Sequence, residues 1–190
     1  MPDKEKADIL VALREVRGKP RPATLRNIND CGDIGLSIGR DGTWFYRGSA
    51  ITRKPLVKLF ASVLRREDDG RHYLVTPVEK VLIEVADAPF LAVEMWSEGS
   101  GQDQRLFFRT NVDDVVGAGP EHPLRFRTGK DGSPVPYLLV RGGLEAKLAR
   151  SIYYEIAALA VPKGDAEAEF GVWSGGKFFA FPTSDFSGEA

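Results

Sequence analysis

Alternating apolar and small or polar residues in DIGLSIG place Ile34, Leu36 and Ile38 on one face of a short strand. RDG follows. Asp-Gly between extended segments marks a tight hairpin, because glycine adopts positive φ without steric cost. TWFYRG returns as a second strand, with Trp44 and Tyr46 on one face and Phe45 on the other, so that one set faces the interior. The period then changes. Leu56, Leu59, Phe60, Val63 and Leu64 recur at helical spacing and form an amphipathic face. Thr52 is the expected cap and REDDG the expected stop. Burying each such side chain contributes about 1.5–3 kcal/mol before conformational entropy is counted. RHYLV reads as another strand. Upstream, residues 3–17 predict a helix capped by Asp3 and ended by Gly18, and the two prolines of KPRPATLRN make an extended linker.

Thr76-Pro77 is the expected domain boundary, dividing an N-terminal α+β domain (1–76) from a C-terminal β-rich domain (77–190). VEKVLIEV and PFLAVEMW predict two strands joined at ADAP; RLFFRT, PLRFRTG and VPYLLVRG predict three more. Leu144, Leu148, Ile152, Ile156 and Leu159 mark the longest expected helix. EFGVWSGGKFFAFP predicts a closing hairpin turned at Ser174-Gly175-Gly176. The expected class is α+β: a small first domain, then a larger one on a bent or barrel-like antiparallel sheet packed by the long helix.

Two segments echo each other. GRDGT (39–43) recurs as GKDGS (129–133), and RGS (47–49) as RGG (141–143). Each pair is followed by an amphipathic helix and an aromatic-bearing strand. A diverged duplication produces this order; so does a shared preference for Asp-Gly at turns.

Composition narrows the class. With 43% hydrophobic and 28% charged residues the chain matches globular rather than disordered proteins. Residues 1–76 hold 15 Lys+Arg and 10 Asp+Glu, a balance of +5; residues 77–190 hold 11 and 17, a balance of −6, summing to the net −1. The basic half can meet the acidic half or an anionic partner, and two mixed solvated faces give the same counts. Cys31 is the single cysteine, which excludes an intrachain disulfide. The first segment has only a short apolar run, Ile9 to Leu13, too short for a secretory core. A cytoplasmic protein without a membrane partner is expected.

The familiar chemical motifs fail in context. GLSIG (35–39) matches G-x-S-x-G, but Ser37 lies inside an alternating strand with no helix after it, so a nucleophile elbow is not expected. Gly117 and Gly119 in VVGAGP lack the strand–helix setting of a dinucleotide site. One cysteine and two histidines, His72 and His122, do not make a closed zinc site. The acid pairs Asp68-Asp69 and Asp113-Asp114 read as solvated. No cofactor, metal or catalytic residue is assigned. Arg53, Lys54, Lys58, Arg65 and Arg66 border the first helix and, with Trp44 and Tyr46, offer phosphate contacts and base stacking; Glu67 and the two aspartates after it oppose that reading.

The run CGDIGLSIGRDGTWFYRGS through LVKLFASVLRREDDGRHYLVTPVEK resembles an uncharacterised bacterial family, domain of unknown function 1285. The resemblance implies a two-part fold with duplicated motifs and a C-terminal part loosely similar to a pleckstrin-homology barrel. It also implies a binding site between the parts and a role in signalling. Phosphoinositide binding does not transfer, since the matching turn Ala86-Asp87-Ala88-Pro89 carries no basic residue.

The expected function is a non-catalytic binding module for a protein or small ligand in a groove between the domains. Trp44 and Tyr46 would supply contact area. Arg47, Arg53 and Arg66 would orient an anionic group, with Glu67 and Glu79 beside them. Two alternatives stay open: an enzyme using Asp41, Glu67 or Glu79 for acid–base work, and a nucleic-acid binder using the basic helix.

Overall fold

The computed structural model describes residues 29–77, 79–129, 132–163 and 169–182. The helix expected over 3–17, its linker, the Cys31 side chain and the tail after 182 lie outside the described residues. The chain divides into two compact units, Met1–Asp87 and Ala88–Ala190.

The first unit contains β1 (Asn29–Ile38), β2 (Trp44–Tyr46), β3 (Ser49–Ala50), α1 (Lys54–Val63), β4 (Leu64–Arg66), β5 (His72–Val75) and β6 (Glu79–Val85). They form a six-stranded sheet of order β3-β2-β1-β6-β5-β4. The β1–β6 pair is parallel; the other neighbours are antiparallel. Because β6 pairs with both β1 and β5, it belongs to this unit, and the division falls after Asp87 rather than at Thr76-Pro77. Thr76 instead makes a turn, exchanging hydrogen bonds with the Glu79 backbone at 2.9–3.1 Å.

Local chemistry explains the hairpins. In the β1–β2 turn Gly39 N donates to Thr43 O (2.8 Å) and Gly42 N to Gly39 O (3.0 Å), with Gly42 at φ 77°. The β2–β3 turn has Arg47 and Gly48 between the paired Tyr46 and Ser49, both at positive φ (48° and 80°), as a type I′ turn demands.

Helix α1 begins later than Thr52 suggests. Arg53 is its N-cap, without a side-chain cap bond, and Pro55 in the first turn presets the helical φ. It ends at Val63, before REDDG, because Leu64, Arg65 and Arg66 pair with Leu74, Tyr73 and His72. REDDG is the tip of that β4–β5 hairpin. The core joins Leu36, Ile38 and Trp44 to Phe60, Val63, Leu64, Leu74, Val81 and Ile83, all buried.

The second unit contains β7 (Phe90–Glu98), β8 (Arg105–Thr110), β9 (Val115–Gly117), β10 (Leu124–Thr128), β11 (Pro134–Arg141), β12 (Leu144–Leu148), α2 (Arg150–Ala158), β13 (Val161–Pro162), β14 (Phe170–Ser174) and β15 (Lys177–Ala180). One sheet has the order β10-β11-β12-β7-β8-β9 and a second the order β13-β14-β15. The class is α+β with strand predominating, as expected. Three expectations change here. The larger sheet is not wholly antiparallel, since β12 runs parallel to β7. VEKVLIEV and PFLAVEMW are both strands, but β6 and β7 lie in different sheets and make no hairpin. Leu144 and Leu148 are strand residues, and α2 is a nine-residue helix, shorter than α1. Gly142 and Gly143, both at positive φ, turn the chain so that Arg141 opposes Leu144, which commits the next five residues to β12.

A buried hydroxyl fastens the small sheet. Ser174 Oγ donates to Ala118 O (2.7 Å) and accepts from Leu106 N (2.8 Å), while Gln104 Nε2 donates to Trp173 O (3.0 Å). None of the described helices is long and apolar enough to cross a membrane.

Candidate functional site

Because β1 and β6 are parallel, their carboxyl ends come side by side, and the amino end of β5 lies next to them. A cavity of about 840 Å³ sits there, lined among others by Ser37, Phe45, Arg71, His72, Leu82 and Glu84. Alternation sorts these residues. Leu36 and Ile38 turn into the core, which leaves Ser37 between them on the opposite face, half exposed. Ser37 pairs with Phe45 on one side and with Glu84 on the other. Ring, hydroxyl and carboxylate therefore form one row across three strands, at the usual spacing of about 4.8 Å. Gly39 gives the ring room: a Cβ there would stand 3.2 Å from Phe45 Cε2.

The electrostatics differ from group to group. Burial holds the His72 imidazole below its ordinary pKa of 6.5, and the Arg66 charge pushes the same way. His72 is therefore neutral at physiological pH. Glu84 is exposed and has no ion pair among the described residues. Arg71 is exposed, and its backbone N–H donates to Asp69. The Asp69 carboxyl is held below the usual range by the Tyr73 hydroxyl (2.7 Å), then by the Arg71 backbone N–H (2.9 Å) and by the Arg71 charge. No hydrogen bond joins Ser37, His72 and Glu84 among the described residues, so these groups form no nucleophile–base relay in this structure. No group of three potential ligands able to hold a metal occurs among the described residues.

The residues expected at a site are spread out. Trp44 is 1% exposed and stacks on Phe60 with ring centres 5.9 Å apart, so it is a core residue and offers no contact surface. The helix laid over β2 decides this. Tyr46 is half-buried, with the Arg47 guanidinium 5.2 Å from its ring centre. Arg53 is exposed at the start of α1. Arg66 pairs in register with His72, a lining residue, and Glu67 makes a salt bridge with Lys80. Glu79 serves the Thr76 turn through its backbone. Three strands (β1, β6 and β5) stand between Arg47 beside β2 and Arg66 in β4, so the proposed arginine group is not one site. The remaining candidates are engaged locally. Asp41 accepts from Thr43 N (3.1 Å) and Thr43 Oγ1 (2.8 Å), and Arg65 donates to Ser62 O and Leu64 O. Asp113 and Asp114 pair with Arg109 and Arg141, and His122 Nδ1 lies 3.1 Å from Leu139 O.

Sequence reasoning missed Phe45 and Glu84. One signal was available: once Trp44 is assigned to the core, alternation sends Phe45 outward. Glu84 breaks an apolar run, VLIEV, at a position of the same kind.

Family models for DUF1285, described as a domain and a protein of unknown function, match residues 22–88 (N-terminal domain) and 89–181 (C-terminal domain). The matches meet where the structural units divide. The chain is similar to a DUF1285 family protein from Silicibacter pomeroyi DSS-3, with 45% identity, TM-score 0.80, and coverage of 90% of this chain and 92% of that one. It is also similar to a DUF1285 family protein from Shewanella baltica OS155, with 28% identity, TM-score 0.47, and coverage of 71% and 94%. No curated protein matches the chain.

Proposed function

The chain belongs to the DUF1285 family, and from that premise we propose that it is a non-catalytic binding module whose N-terminal unit holds a small ligand. The observation that carries this reading is the cavity of about 840 Å³ at the ends of β1 and β6. Ligand pockets commonly enclose about 300–1,000 Å³ and combine apolar walls with a few convergent polar groups. Phe45 and Leu82 supply the apolar wall; Ser37 and Glu84, cross-strand partners on one face, supply polar groups. Holding a ligand without turning it over suits a cytoplasmic signalling component, the role that the family resemblance implies.

We also read the units as carrying diverged copies of one motif, with a loosely pleckstrin-homology-like sheet in the second. Two matching turns support the duplication. Gly129 N donates to Ser133 O (2.7 Å) and Gly132 N to Gly129 O (3.1 Å), the pattern seen at Gly39–Thr43. A two-residue positive-φ turn then follows in both units, at Arg47-Gly48 and at Gly142-Gly143.

The binding reading is tested by screening a fragment library against the whole chain by ligand-observed NMR. Hits are then repeated on a Ser37→Phe variant, which fills the cavity from its wall. Binding lost at an unchanged melting temperature is the expected result. Hits that survive the substitution, or a library without hits, would overturn the cavity as the site.

A further inference from the structure

Resting on the small-ligand reading, we propose that the cavity at the ends of β1 and β6 selects a zwitterion, an α-amino acid with an apolar or aromatic side chain. Strand register builds the site. Phe45 pairs with Ser37, and Ser37 with Glu84. On the far side of β6, His72 pairs with Ile83 in an antiparallel ladder, so one residue further along Arg71 stands opposite Glu84. Facing residues on such strands have Cα atoms about 4.5–5.5 Å apart. The four lining residues therefore follow one another across β2, β1, β6 and β5 as ring, hydroxyl, carboxylate and guanidinium, on one face. His72 leaves the sheet on the other face, with the buried Ile83, and takes no part.

Arg71 and Glu84 are the charged side chains of the described lining, one of each sign. Both are exposed, and neither is in an ion pair among the described residues, with each other or with a third group. A ligand with a single charge gains at one of them and loses at the other, because both are close to it. A ligand carrying both charges gains at both. An α-amino acid holds its two charges on one carbon, a separation that suits strands spaced about 4.8 Å apart. Its carboxylate takes a forked bond from Arg71, and its ammonium donates to Glu84. Ser37, on the other side of Glu84, accepts a second ammonium proton. This polarity directs the ligand's side chain along the row toward Phe45, with Leu82 two residues from Glu84 on the same face.

Isotope-labelled whole protein is titrated at neutral pH with L-phenylalanine, with 2-phenylethylammonium, which lacks the carboxylate, and with 3-phenylpropanoate, which lacks the ammonium. Amide signals of the lining glycines Gly39 and Gly70 report the site, and Gly171 in the other unit is the control. The expected result is that L-phenylalanine shifts Gly39 and Gly70 and binds at least about tenfold more tightly than either single-charge probe. Arg71→Gln is expected to weaken L-phenylalanine by about that factor and leave 2-phenylethylammonium no weaker. Glu84→Gln is expected to weaken L-phenylalanine equally and leave 3-phenylpropanoate no weaker. Glu98→Gln, a loss of charge in the C-terminal unit, is expected to leave all three unchanged. A general loss of structure weakens every probe together, so the crossed pattern separates recognition from folding. A single-charge probe that binds as tightly as the amino acid, or indifference of L-phenylalanine to either substitution, overturns the zwitterion assignment while leaving a ligand-binding cavity. L-phenylalanine without effect at Gly39 and Gly70 overturns it as well, and the fragment screen then decides the cavity separately.

Discussion

Replacing Trp44 separates a core residue from a contact residue, because the two roles predict opposite results. Trp44 is 1% exposed and stacks on Phe60 at 5.9 Å. Truncating a buried Trp to Ala costs about 3–5 kcal/mol, combining lost transfer energy with the cavity left behind. Domains of this size are stable by only about 5–15 kcal/mol, so Trp44→Ala should remove a large fraction of the N-terminal unit's stability. Trp44→Phe tells a second part of the story. The buried Nε1–H finds no hydrogen-bond partner among the described residues. An unsatisfied buried donor costs about 1–3 kcal/mol. Phenylalanine removes that donor together with two carbons, worth about 0.8 kcal/mol each. The two effects nearly cancel, and Trp44→Phe should change stability by less than about 1.5 kcal/mol. The assay is urea unfolding followed through the native His72 imidazole signal, which reports this unit alone. With a slope of about 1–2 kcal/mol/M, Trp44→Ala should lower the midpoint by at least about 1.5 M. A Trp44→Ala protein within about 0.5 kcal/mol of wild type, the range of surface substitutions, would refute the core assignment. Equal losses for Ala and Phe would refute the argument from the indole nitrogen.

Two further outcomes are expected. His72 is held below its ordinary pKa of 6.5 by burial, so the unfolded chain takes up the proton first as pH falls. The stability tied to the neutral ring is present above about pH 6.5 and declines as pH drops toward the folded value. A His72→Gln protein should show a flatter stability profile than wild type between about pH 7 and 5, and parallel profiles would contradict this. In the C-terminal unit, Ser174→Ala should strand both Leu106 N–H and Ala118 C=O, at a cost of about 2–4 kcal/mol. Faster hydrogen exchange at Leu106 should accompany that loss, and unchanged exchange would show that the hydroxyl does not hold the strand.

Much of the fold was legible because its causes are local. Alternation around Ser37 and the Asp-Gly turn specified β1 and β2, and the apolar face of 56–63 specified α1. The hairpin at Gly175-Gly176 was equally plain. The segment 144–148 was ambiguous. Leu144 and Leu148 satisfy a helical repeat, while Leu144, Ala146 and Leu148 satisfy a strand repeat, and all three are buried. Periodicity over five residues does not choose between them; the turn before them does. REDDG was misread for a related reason. A charged turn can end a helix or close a hairpin, and only the pairing of Leu64 with Leu74 distinguishes these.

The sequence by itself determined the family, the α+β class, most strand positions and the turns, since these depend on side-chain period and backbone freedom within a few residues. Tertiary structure alone decided which strands pair, and through them everything at the site. The parallel β1–β6 pair brings Ser37 beside Glu84 and moves the division of the chain past Asp87. Packing of Phe60 on Trp44 takes the most conspicuous aromatic out of reach and leaves Phe45 at the cavity. Residues 37, 45 and 84 lie far apart in sequence. They become neighbours only when strands distant in sequence close their hydrogen bonds, and no local pattern encodes that closure.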